Sequence, residues 1–382
     1  MTSFPIDVLM EIFLCVSAKP LVRFRCVCKS WNSLITNPFF IKAYLERSIK
    51  LHRFDLLKYD FNNLSRVQIR YSPKNELSSN LDNSFVGDGE KFKLVGACNG
   101  IVCLSTFDCK NPHHSKIFLW NPSTGENRAL PQPSLRVSNL VGFGFDSSSG
   151  HPDDFKVVNV NIRFEEYSNY TSQVEVYGFR RNCWKQVGNI FPPVLTQHLR
   201  HQSFCSIFPS SHLGHQVIFE NFICWCPVFC VDNEIVTLLI IFDVVQDVFR
   251  QLPFPAIMPP AEKHINLLDG CLSVIAHNSS TNHYEVWFMK EFGVCESWTK
   301  LYTIGSIENC WPVGFANSGE VFFLRRLCNG LRYHSPIQCV LYNVGSEDYK
   351  EFGVEVDSLY STQLVPYIES LISLSSTNNA EH

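Results

Sequence analysis

The sequence has little charge and no long hydrophobic run. Charged residues make up 18% of the 382 residues, against about 25% in typical globular domains, which argues against extended disorder, an acidic tail or a protein that coats nucleic acid. The most apolar run, Ile235 to Phe242, ends at Asp243, far short of the roughly 20 residues that span a bilayer. Asp7 and Glu11 interrupt the apolar stretch near the N-terminus, so the sequence predicts neither a signal peptide nor a membrane helix.

Several catalytic motifs are also missing. The sequence contains no G-x-x-x-x-G-K-[ST], H-E-x-x-H or G-x-S-x-G segment, so the hydrolase chemistry that these motifs support has no basis here. Gly142-x-Gly144 lacks the third glycine that would open a helix over a dinucleotide, and Cys26-x-Cys28 lacks the redox C-x-x-C spacing. The sequence therefore predicts no cofactor and no catalytic residue.

Histidines and cysteines cluster in one region without forming a convincing metal site. The cluster consists of His198, His201, His212, His215, Cys224, Cys226 and Cys230. Zinc needs four such ligands that converge on a tetrahedron. Cys224 and Cys226 stand two apart in an apolar strand, so they share one face, where core packing explains them. The histidines lie in a polar loop, and the sequence therefore predicts no metal site.

Sixteen cysteines are many, yet they do not indicate a disulfide framework. Such frameworks belong to short secreted chains, whereas this chain is long and rich in other core-forming residues. Most of the thiols are therefore expected to be small buried apolar groups. The protein is expected in the cytoplasm or the nucleus, where thiols stay reduced.

The first fifty residues predict a helical head. Four apolar residues recur at the i, i+3, i+4, i+7 spacing of one helical face: Leu9, Ile12, Phe13 and Val16. Pro20 suits the first turn of a second helical segment, and Asn37-Pro38 predicts the N-cap and first turn of a helix that runs towards Lys50. Because three or four short helices bury little surface among themselves, we expect the head to leave an apolar face for another protein.

The head is basic, although the whole chain has a formal charge of −4. Residues 1–50 contain seven Lys and Arg residues against three Asp and Glu residues. A positive surface suits an acidic partner and would speed their encounter. A solvated face without a partner is the alternative interpretation of the same charges.

From about residue 90 the sequence repeats a short strand, an aromatic residue, Asn or Asp, a turn and a basic residue. In three copies the basic residue follows the aromatic by eight positions: Trp120 with Arg128, Phe242 with Arg250, and Tyr342 with Lys350. Weaker copies are centred on Tyr177 and Trp287. We expect the aromatic residues in the core, and the basic residues to cover the neighbouring unit with their aliphatic stems.

The repeat predicts a ring of antiparallel sheets. Asn99-Gly100 and Asp269-Gly270 accept the positive φ of a hairpin turn, and the aromatic anchors recur at steps near the roughly 50 residues of a kelch-type blade. Radial stacking buries both faces of such sheets. We therefore expect a mainly β protein, a small N-terminal α domain followed by a kelch-like β-propeller with six blades. Residues 364–368 and 370–374 are expected to complete a blade that begins near the start of the body.

The same patterns predict the domain boundaries. The expected parts are a helical domain (1–50), a connecting segment with the first propeller strands (51–90), the kelch-like propeller (91–374) and a polar, disordered tail (375–382).

Several segments carry a resemblance to a known family. Phe4 to Phe13 and Lys19 to Trp31 resemble the F-box motif of plant F-box proteins, and Leu34 to Phe40 continues the match. In the body, Trp120 to Gly125 and Gly142 to Asp146 resemble the F-box-associated interaction domain of the F-box/kelch-repeat type. Together the two regions cover nearly the whole chain.

The resemblance implies the substrate receptor of an SCF-type ubiquitin ligase. The F-box would bind a Skp-type adaptor, which links to a cullin and a RING subunit, and the propeller would hold an unidentified protein substrate. Such a receptor performs no covalent chemistry, and neither nucleic acid nor a membrane is an implied partner. The adaptor-binding positions carried over are Pro5, Leu9, Ile12, Leu21, Phe24, Val27, Cys28 and Trp31.

Other interpretations of these residues stay open. The adaptor-binding positions could instead pack the head itself, and Trp31 in particular could be buried against the helices or the body. Tyr167, Tyr170 and Arg200 are candidate substrate contacts because they fall in predicted loops and because aromatic residues and arginine anchor interfaces; ordinary loop exposure is the alternative. Two further function classes remain: a stand-alone propeller that binds a glycan or a small ligand without ligase recruitment, and a propeller enzyme.

Overall fold

A computed structural model describes residues 5–375 of the chain, with gaps. The positions left out within this span are 52–54, 61–66, 70–78, 81–90, 108–114, 138–139, 166–168, 189–215, 232–233, 260–262, 279, 306, 308, 318, 328–336 and 357–361. A helical head is followed by a body of β-strands. In the described part of the chain, no helix combines the length and the apolar character that crossing a membrane requires.

Four helices form the head: α1 (Ile6–Leu14), α2 (Ala18–Phe24), α3 (Lys29–Ile35) and α4 (Pro38–Lys50). The predicted start and end of α4 are confirmed. The side chain of Asn37 accepts a hydrogen bond from the backbone N–H of Phe39 at 2.8 Å, and Pro38 occupies the first turn. Pro20 lies in the first turn of α2, where its missing N–H leaves no helical hydrogen bond unmade.

The core of the head is built around the ring of Phe13. This ring lies 4.9 Å from the ring of Trp31 and 5.9 Å from that of Phe24. Ile35, Phe40 and other buried residues of α2 to α4 pack around it, and the cluster also contains Leu371, from the far end of the chain. The head therefore completes its core with a residue that lies more than 300 positions away.

The body begins with a sheet that joins both ends of the chain. Its strands are β1 (Asp55–Asp60), β2 (Val67–Ile69), β3 (Ser79–Asn80) and the last strand, β26 (Thr362–Tyr367), in the order β26-β1-β2-β3. β26 pairs antiparallel with β1, and Val365 lies opposite Leu57. The prediction that residues near 364–368 complete a sheet begun at the start of the body is confirmed, whereas residues 370–374 form no strand.

Five further sheets have four antiparallel strands each. The first two are β4 (Lys91–Cys98), β5 (Ile101–Phe107), β6 (Ile117–Trp120) and β7 (Asn127–Ala129), then β8 (Leu140–Phe145), β9 (Phe155–Glu165), β10 (Asn169–Gly178) and β11 (Cys183–Val187). The third contains β12 (Gln216–Phe219), β13 (Phe222–Trp225), β16 (Leu239–Asp243) and β17 (Val248–Leu252). Between β13 and β16 the chain forms a separate hairpin of β14 (Val228–Val231) and β15 (Glu234–Thr237). The last two are β18 (Lys263–Leu268), β19 (Cys271–Asn278), β20 (His283–Met289) and β21 (Trp298–Ile304), then β22 (Cys310–Asn317), β23 (Glu320–Arg326), β24 (Ile337–Asn343) and β25 (Tyr349–Val356).

The mainly β propeller with a small helical head agrees with the expected fold, but the expectation of six blades is wrong. Five blades each come from one stretch of the chain, and the remaining four-stranded sheet is the composite of β26 with β1 to β3. Two 3-10 helices, Ser147–Ser149 and Cys295–Ser297, lie in connections. Because the composite sheet needs the last strand, the ring closes only when both ends of the body meet.

The repeated pair of an aromatic residue and Asn or Asp has a clear structural role. The aromatic residues of the three clear copies are buried as predicted. The residue that follows each of them caps the next turn, because its side chain accepts hydrogen bonds from the backbone N–H groups two and three positions on. These capping residues are Asn121, Asp243 and Asn343. The positive φ values at Asn99-Gly100 and Asp269-Gly270 confirm the predicted hairpin turns.

The basic residues of the repeat behave differently from one copy to another. The guanidinium of Arg128 lies 4.7 Å from the ring centre of Phe179, in the next blade, as expected for a residue that covers its neighbour. Arg250 instead contacts its own blade, with Nη2 at 3.7 Å from a carboxylate oxygen of Asp243. The charged group of Arg128 therefore contacts the neighbouring blade, whereas that of Arg250 pairs within its own blade; covering by the aliphatic stems stays a prediction.

The two glycines of Gly142-x-Gly144 serve packing between blades. A Cβ atom on Gly142 would lie 2.3 Å from the indole of Trp225, and one on Gly144 would lie 2.8 Å from Ile223. Trp225 and Ile223 belong to the next blade along the chain, on β13. The glycines therefore let β8 approach its neighbour closely.

Candidate functional site

An apolar stripe runs along the exposed side of α1. Pro5, Val8, Leu9 and Ile12 follow the i, i+3, i+4, i+7 spacing of one helical face. Pro5 and Val8 are exposed, Leu9 is half-buried, and Ile12 is 49% exposed. Phe13, the residue after Ile12, lies on another side of α1 and belongs to the core of the head. The helix is thus apolar on two sides, and only one of them is covered by the head itself.

Phe24 and Trp31, two of the predicted adaptor-binding residues, are half-buried next to α1. Phe24 and Trp31 contact each other at 5.6 Å between ring centres and both contact Phe13. Their inner faces therefore pack the head, which agrees in part with the packing interpretation, while the rest of each ring is accessible.

The turn between α2 and α3 adds a second exposed apolar element. Val27 is 61% exposed, and Cys28 is exposed at the N-cap of α3. The Sγ atom of Cys28 lies 3.1 Å from Oγ of Ser30, and this hydrogen bond lowers the pKa of the thiol. Both residues are accessible to a partner.

One predicted adaptor position is buried within the head, and some exposed apolar residues of the head were not among the predicted positions. Leu21 is 0% exposed and belongs to the core of the head, so the free head does not present its side chain. Val8 lies one turn before Ile12 on the same stripe, and its helical spacing could have identified it. Phe39 is 82% exposed while Phe40 is buried; two adjacent phenylalanines on a helix cannot share one face, so one of them had to point outwards.

The charge of the head remains uncompensated near these residues. Arg47 Nη1 lies 3.3 Å from Oε2 of Glu11, so one of the few acidic groups is paired within the head. Five basic residues are exposed and have no salt bridge within the described part of the chain: Lys19, Arg23, Lys29, Lys42 and Lys50. The accessible apolar side chains are therefore part of a positively charged head.

The C-terminal segment, residues 367–374, fixes the head to the body. Oε2 of Glu369 accepts a hydrogen bond from the backbone N–H of Ala18, the first residue of α2, at 2.8 Å. Leu371 is 0% exposed in the core of the head. On the other side, Ile372 packs with residues of the first two blades. One short segment thus contributes to both cores.

Side chains of the first blade hold this segment by its backbone. Asn121 Nδ2 donates to the carbonyl oxygens of Ser370 at 3.1 Å and Ile372 at 2.8 Å. Oε2 of Glu126 accepts from the backbone N–H of Leu374 at 2.6 Å. Gly100 lies close to the same segment: a Cβ atom at this position would lie 2.2 Å from Cβ of Ser370. Its φ of +76° also favours glycine. The junction between head and body is therefore specific and hydrogen-bonded.

The candidate substrate contacts largely lie outside the described residues. This holds for Tyr167 and Arg200. The backbone of Tyr170 belongs to β10, which begins at Asn169 and pairs with β9, so the expectation of a loop there is wrong. The side chain of Tyr170 is outside the described part of the structure.

The residues weighed for metal binding are only partly described. The four histidines fall outside the described residues, and Cys224 and Cys226 are buried in the core, as the sequence predicts. Burial raises the pKa of the Cys224 thiol. The described residues contain no group of three or more His, Cys, Asp or Glu side chains placed to hold a metal ion, and their cysteines are free thiols.

Comparisons with known proteins match both parts of the chain. The F-box domain matches residues 1–42, and the F-box associated beta propeller domain matches residues 47–374. An F-box/kelch-repeat protein of Arabidopsis thaliana is 25% identical over 88% of this chain and 90% of its own length. The F-box protein CPR1 of the same plant is 27% identical over 80% of this chain and 73% of its own length. The solved structure of TolB from Acinetobacter baumannii aligns with a TM-score of 0.43 and 12% identity, over 83% of this chain and 66% of that chain.

Proposed function

Because the chain belongs to the plant F-box proteins with an F-box associated β-propeller, we propose that it is the substrate-recognition subunit of an SCF-type ubiquitin ligase. The head binds a Skp-type adaptor and, through it, a cullin and a RING subunit. The propeller holds a target protein for ubiquitination and proteasomal degradation. The receptor performs no covalent step itself; it raises the effective concentration of the target's lysines near the ubiquitin-conjugating enzyme.

The observation that carries this proposal is the accessible apolar surface of the head. Ile12 and Val27 remain about half exposed or more, although the core around Phe13 is complete without them. Exposed apolar side chains that share one face mark a protein interface, and Ile12 lies on one face of α1 with Pro5 and Val8. The unpaired basic residues of the head favour a partner with acidic groups around an apolar centre.

The adaptor-binding surface that we propose follows from exposure. It keeps seven of the eight positions, without Leu21, and adds Val8: Pro5, Val8, Leu9, Ile12, Phe24, Val27, Cys28 and Trp31. The head of residues 1–50 is the adaptor-binding part, residues 51–90 and 91–374 supply the propeller, and 375–382 form a tail. A ligase receptor of this kind acts in the cytoplasm or the nucleus.

The junction supports a receptor that presents its target in a fixed direction. Glu369 and Leu371 tie the C-terminal segment to the head, and Asn121 ties it to the first blade. A rigid junction keeps the distance between adaptor and bound target constant, which favours transfer to lysines at a defined position. Tyr167, Tyr170 and Arg200 remain proposed contacts for that target.

Replacing Ile12 by Asp tests the adaptor-binding surface. A buried carboxylate without a partner is strongly unfavourable, so Ile12→Asp is expected to weaken binding of a purified Skp-type adaptor at least tenfold, measured by isothermal titration calorimetry on the full chain. Ile49→Asp is the matched control, because Ile49 is 50% exposed on α4 and outside the proposed surface. Since both side chains are exposed, thermal unfolding should be similar for the two variants and the unmodified protein.

Two results would contradict the proposal. One is full adaptor affinity in Ile12→Asp, and the other is an equal loss in Ile49→Asp, which would indicate a general defect. Proximity labelling in cells, with and without proteasome inhibition, then identifies targets whose abundance near the receptor rises when degradation stops.

A further inference from the structure

A cavity of about 230 Å³ lies where the inner strands of the propeller meet. Its described wall comes chiefly from β4, β12, β18, β22 and β26, the first strands of four blades and the closing strand. None of the described lining residues belongs to the head. This central cavity is therefore separate from the surface proposed for the adaptor.

The described wall of the central cavity is mainly apolar. Each of the five strands contributes at least one apolar residue, and the second strand of the fifth blade adds two: Ala97, Val217, Ile265, Val313, Val365, Phe322 and Leu324. The described lining residues include no Asp, Glu or Arg. The kind of ligand that suits the cavity therefore depends on the few polar side chains of the wall and on where they make their bonds.

The two amide side chains of the wall are placed at joints between strands. Both amide atoms of Gln216 bond to the backbone of Phe143 on β8: Oε1 accepts from its N–H at 2.7 Å, and Nε2 donates to its carbonyl at 2.5 Å. Nδ2 of Asn266 is fully buried, and its Oδ1 lies so close to β22 that a Cβ atom on Gly314 would lie 2.8 Å from it. Gln216 is thus bonded to the protein itself, and the amide nitrogen of Asn266 is out of reach of a ligand.

The two basic side chains of the wall likewise favour no charged ligand. Nζ of Lys263 donates to Oγ1 of Thr237 at 2.9 Å and lies 5.2 Å from the ring centre of Phe254, and neither of these partners lines the cavity. Burial, and then the nearby His277, lower the pKa of His264 to about 4, so its imidazole is neutral at pH 7. The ammonium group is therefore engaged by the third blade.

The volume sets the size of the ligand, and the wall sets its polarity. An apolar cavity of about 150 Å³ holds benzene, so 230 Å³ corresponds to about nine non-hydrogen atoms. A charged ligand would lose its hydration without a partner of opposite charge among the described wall residues. We propose that the central cavity binds an uncharged, mainly hydrophobic small molecule of about this size.

Such a ligand contacts the strand that closes the ring. Val365 of β26 and Ala97 of β4 line the cavity, and both pack against the core between the closing sheet and the first blade. A ligand that binds only the closed ring stabilises it by mass action. This inference goes beyond the ligase proposal, because it assigns the propeller a small-molecule ligand and involves no residue of the head.

Three probes of nearly equal size test the inference on the full chain. Propylbenzene is uncharged, 2-phenylethylammonium is a cation and phenylacetate is an anion, each with about nine or ten non-hydrogen atoms. We expect saturable binding of propylbenzene by isothermal titration calorimetry, a rise in the unfolding temperature and slower hydrogen exchange in β26. Both ions should bind at least tenfold more weakly.

Cavity-filling variants locate the site. Val313→Phe on β22 and Val217→Phe on β12 fill the cavity from two blades, and each should weaken propylbenzene binding at least tenfold. Val313→Leu is a smaller change and should give an affinity between that of Val313→Phe and that of the unmodified protein. Val245→Phe is the control, because Val245 is exposed in the turn between β16 and β17, and its affinity should be unchanged.

Several outcomes overturn the inference. These are the absence of saturable propylbenzene binding, an ion that binds as tightly as propylbenzene, or unchanged affinity in both phenylalanine variants. If thermal unfolding shows that those variants do not fold, Val313→Leu and the three probes decide the question. Adaptor affinity is measured on the same samples, so a protein that binds adaptor but not propylbenzene contradicts this inference and leaves the ligase proposal in place.

Discussion

At the scale of single residues, close fit between blades depends on small side chains and turn-capping groups. Gly142 and Gly144 let β8 approach Trp225 and Ile223 of the next blade. Asn121 caps its own turn through Oδ1 and holds the C-terminal segment through Nδ2. One side chain therefore stabilises both a local turn and a contact that spans most of the sequence.

Replacing Gly142 by Ala tests the contact between the second and third blades. A Cβ at this position would lie 2.3 Å from Trp225, and over-packing of this kind typically costs about 1–3 kcal/mol. We expect Gly142→Ala to lower the free energy of unfolding by that amount, measured by urea denaturation. Gly188→Ala is the matched control, since no described residue beyond its chain neighbours has an atom within 4 Å of its Cβ. An equal loss in both variants would contradict the packing argument.

Sequence patterns predicted single residues well where the cause was local. The repeat identified Trp120 and Asn121 because an aromatic core residue followed by a turn-capping Asn or Asp recurs in three blades. The same reasoning could not show that Leu21 is buried and Ile12 exposed, because both are apolar and both fit a helical face. Which side of a small helix is covered depends on how the helices pack, and that information is not local.

At the scale of elements, the end of one helix depends on a distant carboxylate. The N-cap of α2 is Ser17, whose side chain makes no capping hydrogen bond. Oε2 of Glu369 accepts from Ala18 N–H instead. A negative charge at this end also interacts favourably with the helix dipole, so α2 is stabilised by a residue of the C-terminal segment.

Replacing Glu369 by Ala should loosen α2. Loss of an N-terminal capping group costs about 0.5–2 kcal/mol, so we expect Glu369→Ala to reduce stability by about that much and to speed hydrogen exchange of the first amides of α2. Glu369→Gln keeps a hydrogen-bond acceptor, so its stability should lie between that of Glu369→Ala and that of the unmodified protein. Glu46→Ala is the control, because Glu46 is exposed on α4; faster exchange in α2 for this variant would argue against a specific role of Glu369.

Helices with local signals were predicted closely, whereas strands that depend on pairing were not. Asn37-Pro38 predicted α4 because capping is decided within a few residues. The segment around Tyr170 is polar and was expected to be a loop, yet it belongs to β10 because β9 provides a partner strand along its length. The apolar run from Ile235 to Phe242 divides between β15 and β16, which belong to different sheets.

At the scale of the whole molecule, both ends of the chain meet in one place. β26 closes the sheet of β1 to β3, and the C-terminal segment that follows contributes Leu371 to the head. The closing strand was predicted because a ring must close, while the link to the head was not, because contacts across more than 300 positions leave no periodic pattern. Stability of the head and stability of the propeller should therefore be coupled.

Two truncations test this coupling. Removing residues 376–382 leaves every described contact of the C-terminal segment in place, so thermal unfolding should be unchanged. Removing residues 367–382 deletes Leu371 together with the bonds from Asn121 and Glu126, and we expect loss of cooperative unfolding, measured by circular dichroism. Leu371→Ala is the milder variant, with an expected cost of about 2–5 kcal/mol; an unchanged unfolding temperature in Leu371→Ala would contradict the coupling.

The position of Leu371 and Glu369 also sets an order of events during synthesis. A ribosome makes the chain from its N-terminus, so α1 to α4 emerge more than 300 residues before Glu369 and Leu371, which complete the head. Until residues 369–371 have been made, the nascent head is without a core residue and α2 is without its capping carboxylate. A chain that stops before Glu369 would therefore leave the N-terminal head without its last core residue and without the carboxylate that caps α2.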